Sequence, residues 1–399
     1  MKRPREGSPD GRIRLLYISS INVRWLHLEW VSEELDREAF DLSFLLLSLV
    51  ENPPSLEPFL AARGIPFRRL DCKLNARSIL GAVREVYRHC RRERIEIVHT
   101  HIFFASLVGL LGAFLAGVPA RVNTRHHASM NHGKPFMWLD RLSNLLATHV
   151  VATCRMLARV LGREGLPDRK LRLLPLGIDL RQFYDVEEAD VRELARKYNP
   201  AGAAPVIGVI ARFIEIKGIQ YIIPAFKRLL ADYPSAFLVL AYAAGPYRGA
   251  IEELLAEIPP DRYVQIPFER NVFALYRLFD VFVHAPIGEE EESFGLTYVE
   301  ALAAGVPSIF SLAGVASELL VHGRNAWVVE HRNSDQIHEG MVRLLGDREL
   351  RESFVREGRA SVDPAYSHLR MVRGLEEMYR EIHRRRAAGG PQETMVLNV

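Results

Sequence analysis

Cysteine is scarce in this chain: three in 399 residues, at Cys72, Cys90 and Cys154. They are scattered, with no Cys-x-x-Cys and no histidine cluster at ligand spacing beside them. A disulfide scaffold and a structural zinc site are therefore excluded, and a reducing compartment is expected. Asp-x-Asp is absent too, so the carboxylate pair that would hold a divalent ion against a diphosphate is missing. Neither sign of charge dominates: 52 Lys and Arg against 49 Asp and Glu leave a net +3, too mild to imply a nucleic-acid partner. The opening "MKRPREGSPDGR" has no apolar stretch of the kind that makes a secretory signal, and a cytoplasmic protein is expected. The uncharged run Ile102 to Val118 falls short of the ~20 apolar residues a membrane span needs. Its three glycines, Ser106 and the closing Gly117–Pro119 fit a buried helix with a sharp stop. No period of 20–50 residues marks a repeat architecture.

What is present is an ordinary globular composition, 48% hydrophobic and 25% charged, on a chain too long for one core. Two domains are expected. Short apolar runs alternate with longer helical patterns, as in a parallel sheet with crossover helices. "IRLLYISS", "FDLSFLLLS", "IPFRRL", "IEIVHTH", "ARVNTRHH" and "HVVATC" form a first series of strands, closed by "LRLLPLGIDLRQF". "APVIGVIARF", "AFLVLAYAAG", "RYVQIP", "VFVHAP", "VPSIFS" and "AWVVE" form a second. The fold class is α/β: two Rossmann-like, doubly wound domains, 1–180 and 181–365, facing across a cleft. The tail 387–399 reads as disordered. Ligands of such sheets bind beyond the carboxyl ends of the strands, so the residues just after strands carry the functional question.

Three segments answer it. In "EEEESFGLTYVEALAAGVPSIFS" (289–311) four glutamates precede a helix expected from about Leu296 to Ala304, stopped by Gly305 and Pro307. The loop residues Ser293, Phe294 and Gly295 and the first helical residue, Leu296, offer backbone N–H groups and the positive end of the helix dipole, a cradle for a diphosphate. Glu300, one turn in, sits among apolar residues and calls for a partner. A carboxylate accepts strongly from paired sugar hydroxyls, so Glu300 and Glu292 on either side of the cradle suggest a nucleotide sugar. The alternative is that Glu300 pairs with an arginine and Glu292 is one of four solvated acids. In "IGVIARFIEIKG" a strand is followed by Arg212 and Lys217, two cations that a departing diphosphate would need, or else two solvated loop residues. In the first half, "VHTH" (98–101) and "VNTRHHASMNHG" (122–133) end strands with histidines that can bond a sugar hydroxyl or steady charge at the reacting carbon. Their spacing forces no metal site.

Together these segments resemble the retaining GT-B glycosyltransferases of family 4, over roughly residues 12 to 385. "ESFGLTYVEALAAGVPSI" is similar to that family's Glu, seven residues, Glu motif, with Glu292 as the first and Glu300 as the second glutamate. "GVIARFIEIKG" matches the Arg and Lys that contact the donor diphosphate, and "LRLLPLGIDLRQF" matches its interdomain Gly-Ile-Asp turn. "VNTRHH" aligns with the first-domain histidine that approaches the donor sugar, best at His126 and next at His127. The resemblance also implies a C-terminal helix (366–386) that crosses back to the first domain. Departures are the loop "SSINVRWLHLEW", which lacks the Gly-Gly pair near the donor phosphate and leaves Ser20 to Asn22 unassigned, and Cys154, which stands where a serine is usual and reads as small core packing.

The resemblance implies transfer of a sugar from a UDP- or GDP-sugar to an acceptor hydroxyl with retention, without metal or cofactor, in polysaccharide, glycolipid or glycoconjugate synthesis. Arg212, Lys217, Glu292 and His126 would serve the reaction, and Glu300 with residues 293–296 would hold the donor. Alternatives are a GT-B epimerase or phosphorylase, or a non-catalytic nucleotide-sugar-binding subunit. A basic stripe of Arg84, Arg88 and Arg91 or Arg92 on the helix expected over 76–94 is either a solvated face or a peripheral membrane contact at the inner leaflet, the latter suggesting a lipid-linked acceptor.

Overall fold

The computed structural model describes residues 11–19, 26–48, 56–73, 75–128 and 134–387. Ser20 to Asn22 and the tail beyond Ala387 lie outside them. The chain divides into two compact units: residues 1–177 with 368–399, and residues 178–367.

The first unit holds β1 (Ile13–Ser19), β2 (Phe40–Ser48), β3 (Phe67–Asp71), β4 (Ile97–His101), β5 (Ala120–Thr124), β6 (His149–Ala152) and β7 (Leu171–Leu173). They form one parallel sheet in the order β3-β2-β1-β4-β5-β6-β7. β4 and β6 are buried throughout and β1 at all but one residue, as central strands of a parallel sheet are; β1 and β6 are mainly apolar, while β4 ends in the buried polar residues His99, Thr100 and His101. The expected buried helix is Phe103–Leu115, with eight residues buried and only Phe114 and Leu115 of its large apolar side chains exposed. No helix among the described residues is long and apolar enough to cross a membrane.

The basic stripe lies on Ala76–Arg92, two residues shorter than expected. Arg88 and Arg68 both pair with Glu85, at 2.9 and 3.0 Å. Of the apolar residues beside the stripe, Val83 is buried while Leu80 and Tyr87 are exposed. Cys154 packs as the sequence reading has it, with a second role. It is buried, but it also caps the helix Arg155–Arg163, its sulfur accepting from the Leu157 amide at 3.5 Å as a serine oxygen would.

The second unit holds β8 (Val206–Ile210), β9 (Phe237–Ala241), β10 (Tyr263–Ile266), β11 (Val281–His284), β12 (Ser308–Ser311) and β13 (Trp327–Val329), parallel, in the order β10-β9-β8-β11-β12-β13. Its core joins Val209, Leu238, Val283 and Ile309 of the strands to Ile222 and Phe226 of the helix Ile219–Asp232. Each strand order reverses once, between β1 and β4 in the first sheet and between β8 and β11 in the second. Doubly wound sheets open a ligand crevice at that point.

The last helix, His368–Ala387, belongs to the first unit. Its Tyr379 is fully buried and hydrogen-bonds the Tyr17 hydroxyl on β1 at 2.6 Å and the His99 Nδ1 on β4. Tyr379→Phe would leave both groups buried without this partner. A loss of about 2–3 kcal/mol is expected, read as a lower urea midpoint for the first unit; an unchanged midpoint would refute the structural role given to this hydroxyl.

Candidate active site

At the reversal of the second sheet two strand ends lie side by side, each followed by a loop and a helix. After β8 come Arg212, then a single 3-10 turn over Glu215–Lys217, then Gly218 and the helix Ile219–Asp232. After β11 come Pro286, the turn Glu289–Glu291, Glu292 and the helix Leu296–Ala304. The loops are pressed together at Gly218. Its φ is +71°, and a Cβ there would lie 1.9 Å from the Ala285 carbonyl oxygen, so only glycine fits. The Ile287 amide donates to the Ile216 carbonyl at 3.1 Å across the same seam. Ser311 Oγ and His331 Nδ1 hold the Pro286 carbonyl at 2.7 and 2.8 Å, and the Val315 amide holds that of Phe294 at 2.8 Å.

This seam brings Lys217 to Glu292, in an ion pair with both side chains largely buried. His284, the last residue of β11 and 1% exposed at its side chain, lies 2.9 Å from the same carboxylate oxygen through Nε2. Burial would raise the Glu292 pKa, but the His284 hydrogen bond and the Lys217 charge outweigh it and bring it to about 2. Burial keeps His284 itself below its ordinary value, so the imidazole is neutral and its Nε2–H donates. Its Nδ1 is buried with no hydrogen-bond partner among the described residues.

Glu300 is partly buried on the second turn of its helix and accepts from the Tyr276 hydroxyl at 3.0 Å. Its partner is thus a tyrosine and not an arginine, and Glu292 is no solvated acid. Burial raises the Glu300 pKa, against the pull of Tyr276. Gly295, at φ +87°, turns the chain into the helix. A Cβ at Gly295 would meet the Tyr298 ring at 2.6 Å. The amides of Leu296 and Thr297 open this helix and have no carbonyl one turn behind them. Phe294 is buried, against the Tyr366 ring at 6.1 Å, so its side chain serves packing. Arg212 is exposed on the loop that carries Lys217.

The remaining expected residue, His126, lies in the first unit, beyond the end of β5. His126 Nε2 is 3.2 Å from His101 Nδ1. The rings of His27 and His99 complete a cluster, His99 bonding Thr124 at 2.7 Å. Burial lowers the pKa of all four, that of His27 to about 4. Arg125, buried and bound to Asp140 at 2.9 Å and Glu164 at 3.2 Å, anchors the loop. His127 turns instead to Asp140, at 3.2 Å. Sequence reasoning missed His284, Tyr276 and Arg125; only for His284, a histidine ending an apolar strand, did a local signal exist.

Two family descriptions match this chain: "Glycosyltransferase Family 4" over residues 27–182 and "Glycosyl transferases group 1" over residues 190–361. The chain belongs to the family 4 glycosyltransferases. The N-acetyl-alpha-D-glucosaminyl L-malate synthase of Bacillus anthracis is 23% identical to it over 300 residues, 74% of this glycosyltransferase and 77% of the relative. The capsular polysaccharide biosynthesis glycosyltransferase CapM of Staphylococcus aureus is 25% identical over 296 residues, 72% and 77% of the two chains. Among solved structures, Anabaena HepE in complex with UDP and glucose superposes with a TM-score of 0.81 at 17% identity, over 93% of this chain and 100% of that one. The fold is GT-B, as expected from the sequence.

An imidazole whose folded pKa lies below its unfolded value of about 6.5 stabilises the fold above that value. The contribution is lost as pH falls from 6.5 towards the folded pKa, because the unfolded chain takes up the proton first. For His27, neutral down to about 4, about 2 kcal/mol should be lost between pH 7 and pH 5. His99, His101 and His126 add to it in the same direction. Urea unfolding at the two pH values checks this, and His27→Phe should flatten the dependence. Equal stability at pH 7 and pH 5 would contradict a neutral cluster.

Proposed function

We propose that this glycosyltransferase moves a sugar from a nucleotide-diphosphate sugar to an acceptor hydroxyl with retention of configuration. The observation that carries the proposal is the Lys217–Glu292–His284 cluster in the β8–β11 crevice, next to the opening turn of a helix that also bears Glu300. The diphosphate lies on the amides of residues 293–296, where the helix dipole favours an anion. Lys217 and Arg212 take the charge that builds on the leaving oxygen, in place of a metal ion. Glu300, its other contact being the Tyr276 hydroxyl, accepts from the ribose hydroxyls, and Glu292 accepts from the transferred sugar. His126, buried, neutral and hydrogen-bonded to His101, is the first-unit residue to which the resemblance gives a part in the reaction. The bond from the anomeric carbon to the phosphate oxygen breaks with its electron pair going to the diphosphate. The acceptor oxygen bonds to the anomeric carbon on the same face, and its proton passes to the departing phosphate oxygen. UDP and glucose in the Anabaena HepE complex support a UDP-sugar donor. An N-acetyl-alpha-D-glucosaminyl L-malate synthase and a capsular polysaccharide enzyme among the relatives leave the acceptor a carbohydrate, a small hydroxy acid or a lipid-linked glycan.

Binding and slow hydrolysis of UDP- and GDP-sugars, measured with EDTA present, test this reading. One donor should bind, Glu300→Ala should weaken it about 10- to 100-fold, and Lys217→Met should lower the hydrolysis rate about 10²- to 10³-fold. First release of the inverted anomer would rule out retention. Binding without turnover would favour a carrier subunit, and donor isomerisation an epimerase.

A peripheral place at the inner membrane face is a second element of the proposal, but on a different surface from the stripe. The helix Lys134–Leu146 exposes Trp138, Leu142 and Leu145, and Arg141 lies against the Trp138 ring at 5.3 Å. Aromatic and aliphatic side chains beside a cation are the make-up of an interfacial helix. Sedimentation with vesicles containing an anionic phospholipid should fall for Trp138→Ser with Leu145→Ser, the donor affinity unchanged. Equal sedimentation of the variant would remove this surface from the proposal.

A further inference from the structure

The first unit carries a cavity of about 740 Å³ that the proposed function does not use. It opens at the amino-terminal edge of the first sheet, the edge opposite to the strand ends that carry His99 and His101. Arg14 comes from β1, Arg68 from β3, and Arg92 and Arg94 from the end of the helix Ala76–Arg92 and the turn after it. Among the lining residues only Asp41 and Glu93 are carboxylates, so four guanidinium groups face two negative charges.

Three of the four are held in place. Arg14 donates to the Glu93 carbonyl at 3.3 Å and Arg92 pairs with the Glu93 carboxylate at 2.7 Å. Arg68 is bound from behind by Glu85 at 3.0 Å. Arg94 has no ion-pair partner among the described residues. Cations at a helix end complement the dipole, which is one reason for Arg92, but Arg14 and Arg68 belong to other elements. Arg94 also stands at a cost. Its φ is +51°, in the left-handed position after a helix that glycine or asparagine ordinarily fills. An arginine there strains the backbone and gives the helix end nothing that glycine would not. His89 lies in the same wall, nine-tenths buried, with neither ring nitrogen hydrogen-bonded among the described residues.

We infer that this cavity binds a small soluble phosphate ester with hydroxyl groups, at a site separate from the donor crevice. Guanidinium forks match phosphate oxygens in pairs. Asp41 and Ser43 on the floor accept from hydroxyls, and the half-exposed Phe67 ring gives an apolar wall for a sugar or base. The volume lies within the range of small-molecule sites.

The test uses the 399-residue chain carrying Lys217→Met, chosen to weaken diphosphate binding at the proposed donor crevice. Glucose 6-phosphate, AMP and inorganic pyrophosphate are titrated by calorimetry at low salt. At least one should bind with a stoichiometry of one. Adding Arg94→Gly should weaken that binding about tenfold or more while leaving the melting temperature equal or higher, because glycine relieves the left-handed position. Arg94→Asn, which tolerates the same backbone, should behave alike, and Arg14→Gln should weaken binding further. Absence of binding by all three probes, or binding that both Arg94 variants leave intact, overturns the inference. Neither outcome bears on the donor crevice, whose own test is sugar-nucleotide binding in the chain with Lys217 intact.

Discussion

Everything proposed for the second unit depends on a rule of chain geometry. Crossovers between parallel strands are right-handed, so a sheet that grows from β8 in one direction and from β11 in the other sends its helices to opposite faces. Within this unit the carboxyl ends of the two central strands, β8 and β11, then lie side by side and are followed by their own loops. The loops can then be pressed together only if one gives up its side chain, which is what Gly218 does against the Ala285 carbonyl. Lys217, Glu292 and His284 meet because that contact has already fixed the backbone on both sides.

Once together, these groups settle each other's charge. A carboxylate taken out of water is costly unless paired; Lys217 supplies the charge and His284 the hydrogen bond. Glu300 has only a neutral phenol, whose hydrogen bond does not offset burial, so burial moves its pKa up while that of Glu292 moves down. Two glutamates eight residues apart on one loop-and-helix segment thus carry different proton affinities. The first unit uses the opposite strategy. There burial holds four clustered imidazoles neutral, and their charge is avoided.

Much of this was legible in the sequence. Alternating apolar runs and helical stretches gave all thirteen strands and the reading of two doubly wound units. The helix from Leu296 to Ala304 was bounded by Gly305 and Pro307 and fell where expected. Glu292 could be singled out from four adjacent glutamates by its distance to Glu300 and by the Phe-Gly-Leu that follows. What could not be read were the partners. His284 ends an apolar strand, and Tyr276 sits in a stretch that reads as core. His284 stands only eight residues before Glu292 and Tyr276 24 residues before Glu300, but the pattern does not show which way either ring turns, and only the pairing of β8 with β11 shows that Lys217 meets Glu292. Arg125 was hidden for another reason: a buried arginine is rare enough that a sequence reading assigns it to solvent. Cys154 was taken for packing because sulfur is seldom counted among helix caps.

The second unit enters and leaves the chain at one spot. The Ile178 amide donates to the Tyr366 carbonyl at 2.9 Å, and Ile178 bridges Ser367, so the ends of a 190-residue stretch are tied by backbone hydrogen bonds. In topological terms this unit is an insertion: a continuous module, closed on itself, set into a host whose last helix follows it in sequence. The host is the part that cannot be cut freely, because Tyr379 reaches β1 and β4 only after the whole module has been made. During synthesis the inserted unit has its full sequence before the surrounding one does, and the first sheet waits for its final helix.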